Sequence, residues 1–133
     1  MISQVVNEVQ PEVVYIPYQG DVNKDHRLVF KAAMVTTRPK PTLAIRKILC
    51  YEVLSETERA ALFVESAFIP NVGVDISGVL ETKLKAISEY KSELKEYPHP
   101  RSLGAISALA KVRGAAVGVE AAEAFMLVRE IRI

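Results

Sequence analysis

Tryptophan is absent from this 133-residue chain, cysteine occurs once, and there are two histidines and six glycines. Each scarcity excludes something. One thiol, Cys50, cannot form an internal disulfide, and its place inside an apolar run reads as a buried, reduced core residue. Cys50 has no base nearby in sequence and no Gly-x-Ser-x-Gly elbow occurs, so nucleophilic catalysis has little support. Gly104, Gly114 and Gly118 do not follow a strand in the phosphate-cradling order, which rejects a nucleotide loop. Neither charge sign prevails: 17 Lys and Arg stand against 16 Asp and Glu, a net charge of +1. That balance gives no electrostatic reason to expect nucleic acid or an anionic membrane as partner. No stretch approaches the roughly 20 consecutive apolar residues of a membrane span. Met1-Ile2-Ser3-Gln4 lacks the charged and apolar regions of a signal peptide, so a cytoplasmic location is the default expectation.

What is present describes a folded protein. Half of the residues are hydrophobic and a quarter are charged, at a length that suits one domain over residues 1–133. Ile2, Val5, Val6 and Val9 fall at helical spacing ahead of Pro11, which predicts a short amphipathic helix over 2–10. Residues 12–17 read as a continuous apolar strand of the buried parallel type. Val29, Ala32, Ala33 and Thr36 line one face of a helix over 25–37, ended by Arg38-Pro39-Lys40-Pro41. A second buried strand centres on Ile48-Leu49-Cys50-Tyr51, while residues 55–67 carry mixed periodicity and no turn signal.

Val72, Val74 and Ile76 then alternate with polar or small residues as a half-exposed strand. Ser77 is placed to cap a helix with the stripe Leu80, Leu84, Ile87, Tyr90 and Leu94. Beyond the stiff Tyr97-Pro98-His99-Pro100, Ser102 caps a last helix that ends near Gly114 or Gly118, and alternation about Phe125 to Ile131 gives a final strand. The expected fold is a Rossmann-like, three-layer α/β structure with a mainly parallel sheet. It begins on a helix, and so lacks its opening strands.

Asp21-Val22-Asn23-Lys24-Asp25-His26-Arg27 joins the first strand to the second helix, where open α/β sheets place their chemistry. His26 admits two readings from spacing alone. It is a metal ligand oriented by Asp21 or Asp25, or a solvated histidine at a helix start where Asp21 or Asn23 is an ordinary cap. One histidine is not a zinc site, because catalytic zinc takes three protein ligands and no second His or Cys lies within a helical turn. His99 reads as a surface loop residue, and Arg101 and Arg113 as an anion site or as partners of glutamates.

Taken together, three stretches narrow these alternatives. Gln10-Pro11-Glu12-Val13-Val14-Tyr15 running into Gly20-Asp21-Val22-Asn23-Lys24-Asp25-His26-Arg27 resembles the middle of a PIG-L/LmbE-like zinc deacetylase. Pro70-Asn71-Val72-Gly73-Val74-Asp75-Ile76-Ser77 resembles a later strand and helix start of that family. His99-Pro100-Arg101-Ser102, Ala110-Lys111-Val112-Arg113-Gly114, Val117-Gly118-Val119-Glu120 and Ala122-Glu123-Ala124-Phe125 resemble its C-terminal region. The resemblance implies hydrolysis of an N-acetyl group from an amino sugar or similar small substrate by a zinc-activated water. It implies that His26 is the third zinc ligand and that Asp25 tunes or orients its neighbours. Asn23 stands where many members have a second histidine acting on the tetrahedral intermediate, and His99 is the substitute we expect for it. Asn71 and Arg101 are the expected substrate contacts.

The family's His-Pro-Asp-Asp-Glu type motif, which provides two zinc ligands and the general base, has no counterpart here; the only His-Pro is His99-Pro100. The resemblance is therefore to the C-terminal half of such an enzyme. The expectation is weak or absent zinc binding and no hydrolysis by the chain alone. A separate polypeptide could supply the missing half, or the half-fold could serve as a non-catalytic oligomeric domain. Missing strands would leave an apolar edge, so self-association through Val13, Val14, Ile16 or the face of residues 2–10 is expected.

Overall fold

Apolar runs become strands where the pattern puts them, but they do not all point the same way. The computed structural model describes residues 1–132. Among these, four strands are formed: β1 (Val13–Pro17), β2 (Lys47–Tyr51), β3 (Val72–Asp75) and β4 (Ala122–Glu130). Four helices accompany them, α1 (Ile2–Val9), α2 (Lys24–Thr36), α3 (Leu80–Ser88) and α4 (Leu103–Val117), in a mixed α/β protein. The hydrogen-bonded strand order is β1-β2-β4-β3.

β1 and β2 are parallel, with Val13 opposite Lys47 and Pro17 opposite Tyr51. β4 runs antiparallel to β2. β3 and β4 are also opposed, since Asn71 N–H donates to Phe125 O while Ile76 N–H donates to Ala121 O. The expected mainly parallel sheet is thus corrected to a mostly antiparallel one. The reason lies in the connections. One helix between β1 and β2 returns the chain in the same direction, whereas two helices between β3 and β4 reverse it once more.

The chain forms two compact units, one of Met1–Asn71 with the chain from Phe125 on, the other of Val72–Ala124. In the first, Ile16, Tyr18, Ala33, Ile45, Ile48 and Cys50 form the core together with Val6 of α1. α1 ends at Gln10, whose left-handed backbone (φ 49°) lets its N–H donate to Val6 O before Pro11. Of the predicted α1 stripe only Val6 is buried; Val5 and Val9 are exposed. β1 is not the doubly buried strand expected. It stands at the end of the strand order, with Val13 and Tyr15 exposed.

In the second unit Ile76, Ala110 and Ala121 are buried against Leu80. Ser102 caps α4 as predicted, its Oγ accepting from Ala105 N–H at 3.2 Å. Ser77 does not cap α3, because Asp75 captures it first, accepting from its N–H at 2.9 Å and its O–H at 2.6 Å. α3 then stops at Ser88, whose hydroxyl turns back onto Lys85 O at 2.6 Å, so Tyr90 and Leu94 lie beyond the helix.

Gly118, at φ 80°, closes α4, and Gly114 lets the following turn approach. A Cβ at position 114 would stand 2.7 Å from backbone atoms of Ala121 and Val119. Gly114→Ala should therefore destabilise the protein by about 1–3 kcal/mol through overpacking. That outweighs the gain of about 1 kcal/mol that alanine offers inside a helix. A urea midpoint equal to or above wild type would contradict the close approach.

Candidate functional site

The loop after β1 is built to bury one carboxylate. Tyr18 turns inward, donating its hydroxyl to Ala67 O at 2.7 Å with its ring against Phe68. Gly20 follows, where a Cβ would meet the Tyr18 ring at 2.4 Å and Ser66 O at 2.6 Å, so only glycine fits. Asp21 is then buried, at 1% exposure. Asn23 is the N-cap of α2, its Oδ1 accepting from Asp25 N–H at 2.9 Å. This cap starts α2 at Lys24 and puts His26 in its first turn, close enough to reach back to Asp21.

Both oxygens of Asp21 are occupied. Oδ2 lies 2.7 Å from His26 Nδ1, and Oδ1 lies 2.7 Å from Thr57 Oγ1. Thr57 belongs to a tight turn in which Val53 N–H donates to Thr57 Oγ1 at 2.8 Å and Thr57 N–H donates to Val53 O at 2.9 Å. Val22 N–H donates to Glu56 O at 3.3 Å and fastens the loop to that turn. A buried carboxylate needs such partners to keep its charge out of water. The His26 side chain keeps 25% of its surface exposed, and with Nδ1 engaged its free nitrogen is Nε2.

Asp21 also acts on its neighbours. Burial pushes the Cys50 thiol up to about 11, and the Asp21 charge adds to the shift. Tyr18 and Tyr51 also move up, through burial first and then the neighbouring Cys50 and Asp21 charges. Cys50 is 2% exposed, so the buried, inert thiol expected from sequence is what the structure contains.

The other predicted residues are arranged differently. Asp25 is exposed on α2, and the carboxylate beside His26 is Asp21's instead. The oxygen of Asn23 is committed to its cap. Asn71 Oδ1 accepts from Leu127 N–H at 2.8 Å, where it serves strand pairing. His99 and Arg101 belong to the second unit. There His99 Nδ1 accepts from Arg101 N–H at 3.0 Å, and the Arg101 guanidinium meets Glu93 at 2.5 Å. That unit also has a cleft lined by Lys91, Lys95, Tyr97 and the start of α4. Sequence reasoning passed over Thr57, which sits in the segment without periodicity. Its one signal is the polar run Ser55-Glu56-Thr57-Glu58, of a type that can cap a short helical turn. Among the described residues no three His, Cys, Asp or Glu side chains are grouped to hold a metal ion, and no helix is long and apolar enough to cross a membrane.

No family model matches the chain, and no curated protein resembles it in sequence. Solved structures do share its fold. A conserved protein of Thermus thermophilus superposes with a TM-score of 0.73 at 20% identity, over 99% of this chain and 58% of that one. The hydratase GalB of Pseudomonas putida, which acts on 4-carboxy-2-hydroxymuconate, gives 0.73 at 19% identity over the same shares. An N,N'-diacetylchitobiose deacetylase of Pyrococcus horikoshii gives 0.70 at 20% identity, over 96% of this chain and 49% of that one. The chain thus spans 49–58% of the length of these structures, and the likeness establishes a common fold.

The thiol shift sets an alkaline limit on stability. Below the usual value near 9.0 the thiol is protonated in both folded and unfolded chains. Between there and about 11 the unfolded chain ionises first, so stability falls as pH rises and the loss levels off above that window. Urea midpoints measured across alkaline pH should decline, and Cys50→Ala should flatten the decline, leaving the part due to Tyr18 and Tyr51. An identical slope in the Cys50→Ala chain would contradict this account.

Proposed function

We propose that this chain is the part of an LmbE-like N-deacetylase fold that carries one metal-ligating imidazole, His26, oriented by Asp21. The observation that carries the reading is the 2.7 Å contact between His26 Nδ1 and a carboxylate that is itself buried. A ligating histidine characteristically gives its other ring nitrogen to such a carboxylate, which fixes the ring and raises its basicity. The common fold with a chitobiose deacetylase supports this reading, although the same fold in a hydratase means that fold alone does not select the chemistry.

The residues present fit one corner of a zinc site and not a whole one, since catalytic zinc takes three protein ligands. Zinc held there would lend Lewis acidity to an amide carbonyl. The chain's own contribution is positional. Asn23 starts α2, Asp21 holds the imidazole, and the Thr57 turn holds Asp21. Neither Asp25 nor Asn23 stands as a general base, so hydrolysis of a small N-acetylated substrate requires a His-Pro-Asp-Asp-Glu type motif that these 133 residues do not contain.

The test is metal content and acetate release. The chain alone should retain well under one zinc per molecule after dialysis. Combined with the motif-bearing N-terminal segment of a deacetylase, it should hold one zinc and release acetate from an N-acetylated amino sugar. His26→Ala should abolish both, and Asp21→Asn should weaken zinc binding by about 10–100-fold. Tight stoichiometric zinc in the isolated chain, or unchanged binding in His26→Ala, removes the reading.

A second reading, a non-catalytic oligomeric domain, is favoured by one observation. Val13 and Tyr15 of the end strand β1, and Val5 and Val9 of α1, are exposed apolar side chains on the unit that carries His26. Self-association through these residues should appear in sedimentation velocity at tens of micromolar, and Tyr15→Lys should weaken it. A monodisperse monomer removes this second reading.

A further inference from the structure

We infer that Thr57 is a positioning residue that holds Asp21 in the pose in which its second oxygen keeps the proton of His26 on Nδ1, leaving Nε2 as the outward lone pair. The argument is one of hydrogen-bond polarity. A threonine hydroxyl has one proton to give and two sites that accept. At Thr57 the direction is set by the main chain. Val53 N–H can only donate, and it donates to Thr57 Oγ1 at 2.8 Å. The hydroxyl proton is then free for the other close polar atom, Asp21 Oδ1 at 2.7 Å.

An ionised carboxylate only accepts, so Oδ1 is spent on Thr57 and Oδ2 is presented to His26 Nδ1 at 2.7 Å. Asp21 has no proton to offer along this path, and the bond exists only if Nδ1 carries one. The neutral imidazole is thereby held as the Nδ1–H tautomer. Its Nε2 lone pair lies on a side chain that keeps a quarter of its surface open, 25%. One backbone bond closes the turn, Thr57 N–H to Val53 O at 2.9 Å, and one fastens it to the loop, Val22 N–H to Glu56 O at 3.3 Å. The segment 53–57 thus acts on the imidazole through Asp21 without touching it.

The consequence for ligand binding rests on the reading of His26 as a metal ligand; the tautomer itself does not. His99 supplies an internal control. Its Nδ1 accepts from Arg101 N–H at 3.0 Å, so its neutral ring must be the opposite, Nε2–H tautomer.

The experiment is a long-range proton–nitrogen correlation of the histidine rings in ¹⁵N-labelled, metal-free protein, at a pH above the imidazole range. Wild type should show two rings of opposite type, with a protonated Nδ1 in His26 and a protonated Nε2 in His99. Thr57→Ser keeps the hydroxyl and should preserve the His26 pattern. Thr57→Val should draw the two His26 nitrogen shifts toward each other as both tautomers populate, while His99 stays unchanged; Thr57→Ala serves should the valine chain not fold. An Nε2–H form of His26 in wild type overturns the inference, as do unchanged His26 shifts in a folded valine or alanine chain. Failure of zinc to bind once the missing segment is supplied would remove the deacetylase reading and leave the tautomer result standing.

Discussion

A carboxylate with almost no surface in water must be surrounded by hydrogen-bond donors or lose its charge, and Asp21 sets that requirement for the loop around it. Its two oxygens call for two donors, and the chain brings them from different places. His26 comes from the first turn of α2, five residues on; Thr57 comes from a turn beyond β2. Burial first, and the same anion after it, shift Cys50, Tyr18 and Tyr51 upward, with Cys50 adding to the shift of the two tyrosines. Nothing in this cluster is a poised nucleophile. It is a mount for one imidazole.

The fold serves that mount in an economical way. One parallel β–α–β passage, β1 to α2 to β2, places the loop at a strand end and the turn after β2 beside it. β4 runs antiparallel to both of its neighbours, and the bonds to the two oxygens of Asp21 come from α2 and the turn after β2. Structures with the same fold include a hydratase and a deacetylase, so the fold alone does not select a chemistry. In this chain the loop after β1 and the start of α2 hold a single imidazole with its carboxylate.

Much of this was legible in the sequence, and the failures have physical causes. Strand and helix positions followed from apolar period, because burial on one face imposes it. Strand direction did not follow, since Ile48-Leu49-Cys50 reads the same whichever way its neighbours run. His26 stood out because histidine is scarce, and the loop stood out because it joins a strand to a helix. The choice between Asp21 and Asp25 was open in sequence. The first turn of α2 decides it by leaving Asp25 exposed and bringing His26 back over Asp21. Ser77 suited a cap by type, but Asp75 two residues earlier competes for the same donors. Thr57 was invisible because its partner is 36 positions away and its own segment has no period.

Gly20 illustrates how such a site can mislead. Its missing side chain is dictated by the Tyr18 ring and by the main-chain oxygen of Ser66, which no change at Tyr18 can move aside. A saturation scan would find the position intolerant of every replacement, as it would a residue that does chemistry. The intolerance here is steric in origin. Scoring abundance alongside function exposes it, for a Gly20 variant vanishes from the folded pool.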